Sequence, residues 1–381
     1  MLKKFANIIS NYLYNKKLYK LIISVYEESD FNECGIAYAA DHIFSVRSNL
    51  LPDLWFESPF QRKLLILFDD EKNQTDYAFK YGVLDVKKAT FEMPDGVVRV
   101  KTGVVKRIMG DTDWALNFPK FYRSFFRTFS FYKSGIKKSV FISLPFNENY
   151  YHWLIETLPR LALFDLLNIK INGIKIIMPH LDGRPKFVWE TLALTGFVDQ
   201  IQHLNSGVYE ADNLIIPTLT APRSRIHPFA ADWLRNKILL SNMPPEVFQF
   251  ETKEYERIYI ARDDAPSRRV ANSTEVDKLL ESFGFKKMTM TGKTVVEQAR
   301  IFSAAKIIVG IHGAALANVL FCQKGATLIE IFMDGWFTKA FFNLARDRDM
   351  IYGCFLAKNL NDNLLVNIEE LNILIKNSVN E

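Results

Sequence analysis

Between residues 257 and 355 this chain alternates short apolar runs with segments that carry helix signals, and the alternation leaves few folds open. Arg257–Ala261, Phe285–Met290, Lys306–Gly310, Thr327–Phe332 and Ile351–Phe355 read as strands. Asn272-Ser273-Thr274-Glu275 offers caps for a helix through Phe283. Further helices are expected over Thr294–Ala304, from Ala314, and over Phe337–Arg346. Strands separated by helices imply a parallel sheet with right-handed crossovers, a Rossmann-type half.

The first half is less regular. Val140–Leu144 reads as a strand running into a helix over Asn149–Leu167. Ile174–Met178 reads as a strand, Lys186–Thr195 as a helix and Asn213–Pro217 as another strand. The region before about residue 135 gives no firm reading. Ser241–Glu256, with Pro244-Pro245 and several charges, is the best linker. The fold class is therefore α/β, with residues 1–245 as one Rossmann-like domain carrying an N-terminal extension and residues 246–381 as a second.

Composition narrows the function. Hydrophobic residues make up 49% and charged residues 24% of 381 residues, as in ordinary globular domains, and the 31 phenylalanines place much aromatic packing in the core. A net charge of +5 without a basic stripe argues against nucleic acid as partner. Cys34, Cys322 and Cys354 form neither a disulfide framework nor a zinc spacing, which fits a reducing, cytoplasmic setting. Residues 1–26 carry Lys3, Lys4, Lys16, Lys17 and Lys20 before the first acid, Glu27. Their apolar residues are too interrupted for a membrane span and lack a signal-peptide pattern. The segment reads as an amphipathic first helix or as a basic helix touching the inner face of a membrane.

Four constellations carry chemistry. In Gly310-Ile311-His312-Gly313-Ala314-Ala315-Leu316-Ala317-Asn318 a strand turns into a helix, and such a turn offers free amides and a helix dipole to an anion. Its spacing is not the dinucleotide fingerprint, and a plain tight turn is the competing reading. Arg262, with Arg268 and Arg269, follows the first strand of the same sheet and could clamp a diphosphate or form a surface charge cluster. Glu330 lies inside an apolar strand, where an acid is costly unless paired. It could accept from ribose hydroxyls or make a structural ion pair. His152 and Glu156 are four apart, on one helical face, as a general base and its orienting carboxylate would be. Neighbouring aromatics Tyr151 and Trp153 could stack a sugar, or the whole helix could simply be packed.

Other patterns fail. Gly292-Lys293-Thr294 lacks the earlier glycine of a P-loop, no Gly-x-Ser-x-Gly elbow accompanies His312, and no His-Glu-x-x-His helix occurs. Asp111-Thr112-Asp113 has a metal-holding pattern that is common by chance, and no metal site or cofactor is expected.

Three of these segments together resemble glycosyltransferase family 61, the capsular polysaccharide biosynthesis family. The carrying residues are Asn149–Trp153 with Pro159-Arg160-Leu161, then Ile258–Arg262, then Gly310–Asn318 with Glu330-Ile331, in that order over about residues 140–335. Here Ala261-Arg262 stands where the family usually has Ser-Arg, and Ala315 where it has a glycine. The resemblance implies a GT-B architecture, an inverting mechanism without a metal, and transfer from a nucleotide sugar to an oligosaccharide or lipid-linked glycan. His152 is the preferred base, because its segment should face the cleft from the acceptor domain, with Glu156 second. Donor contacts would come from Arg262, Arg268, Gly310, His312, Gly313, Ala314, Ala315, Leu316, Asn318 and Glu330, and acceptor contacts from Asn149, Tyr151, Trp153 and Arg160. A non-catalytic nucleotide-sugar-binding subunit and a nucleotide-sugar epimerase are the competing functions.

Overall fold

The computed structural model describes residues 24–26, 36–47, 76–94, 96–100, 103–105, 133–144, 146–180, 185–242, 253–335 and 337–379. The basic segment up to residue 23, Cys34, Asp111-Thr112-Asp113 and Pro244-Pro245 lie outside them. The chain divides into two compact units: of the described residues, the first holds 24–26, 36–44 and 79–223, and the second 45–47, 76–78 and 224–379.

The first unit is built on a sheet of nine described strands. These are β1 (Ser24–Tyr26), β2 (Ile36–Arg47), β3 (Asp76–Met93), β4 (Val97–Val100), β5 (Gly103–Val105), β6 (Lys133–Phe141), β7 (Lys175–Pro179), β8 (Ile201–Leu204) and β9 (Gly207–Pro217). Their order is β1-β5-β4-β3-β9-β6-β7-β8, with β2 also paired to β3. The strands β9, β6, β7 and β8 are mutually parallel, whereas β3 runs antiparallel to β9 and β4. This is the nucleus of an α/β unit with an antiparallel flank. Phe91, Phe141 and Tyr209 meet at the junction, their ring centroids 5.0 and 5.5 Å from Phe91. Sequence reading placed only the last five residues of β9, because its amino half and the long β3 mix charged residues into the apolar pattern.

The second unit matches its sequence reading closely. Its strands are β10 (Arg257–Ile260), β11 (Lys286–Met288), β12 (Ile307–Ile311), β13 (Thr327–Met333), β14 (Ile351–Leu360) and β15 (Asn363–Leu365). They lie in the order β11-β10-β12-β13-β14-β15, parallel except for the edge hairpin β14–β15. The strands β12 and β13 are buried almost throughout, which explains their unbroken apolar runs. Fully burying a Val309 or Ile329 contributes about 1.5–3 kcal/mol. Helices Ser273–Ser282, Val295–Ala304, Ala340–Asp347 and Ile368–Val379 accompany the sheet. Thr294 forms a full capping box with Glu297, so the second helix starts where its sequence signal placed it. The segment 224–242, on the first-domain side of a boundary at residue 245, packs with the second unit. Arg235 Nη1 donates to the carbonyls of Leu320 and Cys322 at 3.0 and 3.1 Å, and Arg225 pairs with Asp347 at 2.7 Å.

The order of the second sheet fixes where a ligand can sit. The chain leaves β10 towards β11 on one side and returns to β12 on the other. In an open parallel sheet such a switch of direction marks the carboxyl edge between the two strands as the place for a ligand. Arg262 follows β10 and His312-Gly313 follows β12.

Among the described residues no helix is long and apolar enough to cross a membrane.

Candidate functional site

At this edge the structure brings together the two expected segments. A Cβ built on Gly313 would lie 2.1 Å from Arg262 Nη1 and 3.2 Å from its Cζ, so the guanidinium rests directly on the Gly313 backbone. Gly313 has φ 178°, extended backbone open to any residue, so what needs glycine here is the close approach of the arginine. Arg262 Nε is buried and has no hydrogen-bond partner among the described residues. Burial lowers the pKa of Arg262, the neighbouring Arg268 lowers it further, and Asp264 raises it. Two guanidiniums held this close, one with an unsatisfied buried donor, form an arrangement that an anion would stabilise.

Arg268 is fixed from both sides. Its backbone is left-handed, with φ 58°, and its N–H donates to Asp362 O at 2.9 Å on the β14–β15 turn. The side chain donates from Nη1 to His312 O at 3.2 Å. The loop after β10 is further clipped to that hairpin by Asn363 Oδ1, which accepts from Arg269 N–H at 3.1 Å. The hairpin's part was not visible in sequence, because Asn361-Asp362-Asn363 reads only as a turn.

Beyond Gly313 the chain winds into a 3-10 helix, Ala314–Phe321, rather than the expected α-helix. One cause is Asn318, whose Nδ2 donates to Ala315 O at 2.9 Å and occupies an acceptor that an α-helical N–H would use. The first intrahelical bond is Leu316 N–H to Gly313 O, 3.0 Å, which leaves the amides of Ala314 and Ala315 ahead of it at the helix start.

His312 points the other way, into the sheet. Its Nδ1–H donates to Glu330 Oε1, and the Tyr352 hydroxyl donates to Glu330 Oε2 at 2.6 Å. The imidazole stacks on Phe332, centroids 5.0 Å apart at 23°, and also meets Phe341. Glu330 is fully buried. Its two oxygens serve His312 and Tyr352, so the expected contact with ribose hydroxyls gives way to an anchoring role beneath the turn. Tyr352 was missed in sequence, since a tyrosine in a strand signals only packing.

Three other expected donor contacts are internal. Gly310 lies within β12, and a Cβ there would meet Leu316 Cδ2 at 2.5 Å. Gly310 and Leu316 thus make a packing pair within the unit. Asn318 is fully buried and donates to Gln298 Oε1 at 2.8 Å, tying the 3-10 helix to the helix Val295–Ala304.

On the first unit, the expected helix 149–167 is broken into a π-helix, His152–Thr157, a 3-10 turn, Leu158–Leu161, and an α-helix, Ala162–Leu166. Pro159 has no N–H to continue an α ladder, and Leu158 N–H reaches five residues back to Trp153 O. Asn149 Oδ1 accepts from Tyr151 N–H at 3.0 Å, so Asn149 caps this segment. The His152–Glu156 pair forms as expected: Nδ1–H donates to Oε2 at 2.7 Å, with side chains 33% and 26% exposed. Phe146 lies 5.3 Å from the His152 ring, and Tyr151, largely buried, meets it edge-on.

Trp153 and Arg160, expected on the acceptor, turn inward. Trp153 is fully buried and donates to Thr191 Oγ1 at 2.8 Å. Arg160 is fully buried, and donates to Pro217 O from Nε at 2.9 Å and to Ile142 O from Nη1 at 2.9 Å. It thereby fastens the carboxyl ends of the adjacent strands β6 and β9, and burial lowers its pKa to about 9. The apolar stripe of this helix was legible in sequence, but which polar residues point with it was not.

Among the described residues no group of three or more His, Cys, Asp or Glu side chains is placed to hold a metal ion.

Compared with protein-family models, residues 150–329 match the one described as Glycosyltransferase 61. No curated protein matches the chain.

Proposed function

Residues 150–329 belong to the glycosyltransferase 61 family, and from that premise we propose that this glycosyltransferase moves a sugar from a nucleotide-sugar donor onto a glycan acceptor with inversion. The observation that carries the donor half of this reading is Arg262. Its guanidinium lies on Gly313 at a topological switch point, with a buried unsatisfied Nε and a second arginine beside it. Together with the amides of Ala314 and Ala315, these groups would hold the donor's diphosphate and neutralise it as it leaves. In the proposal those cations take the place of a metal.

The acceptor half rests on His152. With Nδ1–H committed to Glu156, the neutral imidazole keeps its lone pair on Nε2. That nitrogen would take the proton of the acceptor hydroxyl as the oxygen attacks the anomeric carbon, from the face opposite the departing diphosphate. A GT-B arrangement of acceptor and donor domains is part of this reading, and the run of parallel strands within each unit's sheet supports it. An oligosaccharide or lipid-linked glycan of capsule or another surface polysaccharide would be the acceptor. The work would take place in the cytoplasm, with the basic N-terminus available to the inner membrane face.

The first test is a thermal-shift screen with nucleotides and nucleotide sugars in EDTA. Stabilisation by a nucleoside diphosphate supports both the cradle and metal-free binding, and no stabilisation by any nucleotide would count against the reading. The second is His152→Ala, for which nucleotide affinity should be retained while transfer falls by about 10²–10⁴-fold. Wild-type turnover in that variant would remove His152 as the base. Conversion of a free nucleotide sugar without acceptor would point instead to an epimerase.

A further inference from the structure

The turn that would receive the diphosphate is anchored from below by three side chains on three adjacent elements: His312 after β12, Glu330 on β13 and Tyr352 on β14. Burial is the largest influence raising the Tyr352 pKa, with Cys354 and Glu330 adding to it, so the hydroxyl stays protonated and serves Glu330 as a donor. Glu330 has no exposed surface, and its Oε2 is satisfied by that hydroxyl. Its Oε1 is then the acceptor for His312 Nδ1–H. On the opposite side of the same residue, His312 O accepts from Arg268, and the next residue, Gly313, carries Arg262. The orientation of Glu330 depends on Tyr352.

We propose that Tyr352 is a positioning residue of the donor site: through Glu330 it holds His312 in the Nδ1–H tautomer and so sets the turn on which Arg262 and Arg268 are arrayed. The proposal rests on reading that turn as a diphosphate cradle. By donating to Oε2, the phenol fixes the carboxylate so that Oε1 faces His312 Nδ1–H. Removing the hydroxyl takes a donor from a buried oxygen and lets the carboxylate turn away from the imidazole. Phe332 and Phe341 cover its faces without titrating.

The test is nitrogen-15 NMR of the imidazoles, practicable with six histidines in the chain, with His312→Gln identifying the resonance. In the wild-type protein His312 should be the Nδ1–H tautomer. In Tyr352→Phe that tautomer should give way to a mixture, and UDP affinity should fall severalfold while the His152 resonance stays in place. Glu330→Gln, an independent variant, should release His312 from that tautomer. An Nε2–H tautomer in the wild type, or a Tyr352→Phe protein with the tautomer and UDP affinity of the wild type, would overturn the assignment. The imidazole spectrum decides on Tyr352 even if UDP fails to bind the wild-type protein, an outcome that would instead strike at the cradle itself.

Discussion

Replacing Gly313 by alanine separates the proposed donor cradle from the fold that carries it. The new methyl would fall 2.1 Å from Arg262 Nη1 and 3.2 Å from Cζ. Carbon and nitrogen need roughly 3.5 Å, so the guanidinium must retreat by more than an ångström. Arginine is flexible, and at φ 178° the alanine backbone is unstrained, so stability should change by only about 0.5 kcal/mol, the scale of a substitution that opens no cavity. What is lost is alignment. A charge-assisted hydrogen bond is worth about 1.5–3 kcal/mol, which predicts a nucleoside diphosphate Kd weakened by about 10- to 150-fold. Isothermal titration with UDP and GDP, beside a denaturation curve for the free protein, measures both quantities. Arg262→Ala should weaken binding by a similar factor. The double variant should be no worse than Arg262→Ala, because Gly313 acts only through that arginine. Wild-type affinity in Gly313→Ala, or full additivity in the double variant, would refute the argument.

Gly310→Ala should behave in the opposite way. Its methyl would meet Leu316 Cδ2 at 2.5 Å inside the unit, so stability should fall by about 1–3 kcal/mol through overpacking, read as a lower midpoint in urea. Arg160→Met should cost about 1–3 kcal/mol for each carbonyl, of Ile142 and of Pro217, left without its buried donor, by the same assay. Stability should also decline in alkali. Burial pushes the Cys322 thiol up to about 12 and raises Cys354 and Tyr352 as well. These groups stay protonated in the fold while the unfolded chain ionises its thiols above about pH 8.5. The stability they contribute is whole below that value and is lost as pH rises towards 12. Urea midpoints from pH 7 to 11 test this, and in the native protein at pH 8 Cys322 should resist thiol reagents.

How much of this was legible in the sequence depends on whether local pattern or distant packing decides a residue's fate. Strands β12 and β13 announced themselves because a parallel sheet buried on both faces demands unbroken apolar runs, and helices such as Val295–Ala304 announced themselves through caps. The segments Arg262–Arg268 and His312–Ala315 could be named as one cradle because strand-to-helix turns in a parallel sheet all open on the same edge. The His152–Glu156 pair was legible too, since a spacing of four survives even in a π-helix.

Side-chain direction was not. Glu330, Asn318, Trp153 and Arg160 look like site residues because polar or aromatic groups stand within apolar stretches. That appearance is shared by a residue facing a ligand and by one that ties strands together internally. Only the packed neighbours tell them apart: Tyr352 for Glu330, Gln298 for Asn318, Thr191 for Trp153, and two strand-end carbonyls for Arg160. The sequence by itself determined which edge of which sheet would gather the arginines and the glycine turn, because periodicity and the alternation of strands with helices are local and repetitive. The tertiary structure alone decided which of those groups are left unsatisfied, because that depends on partners far along the chain, such as Asp362 holding the backbone of Arg268.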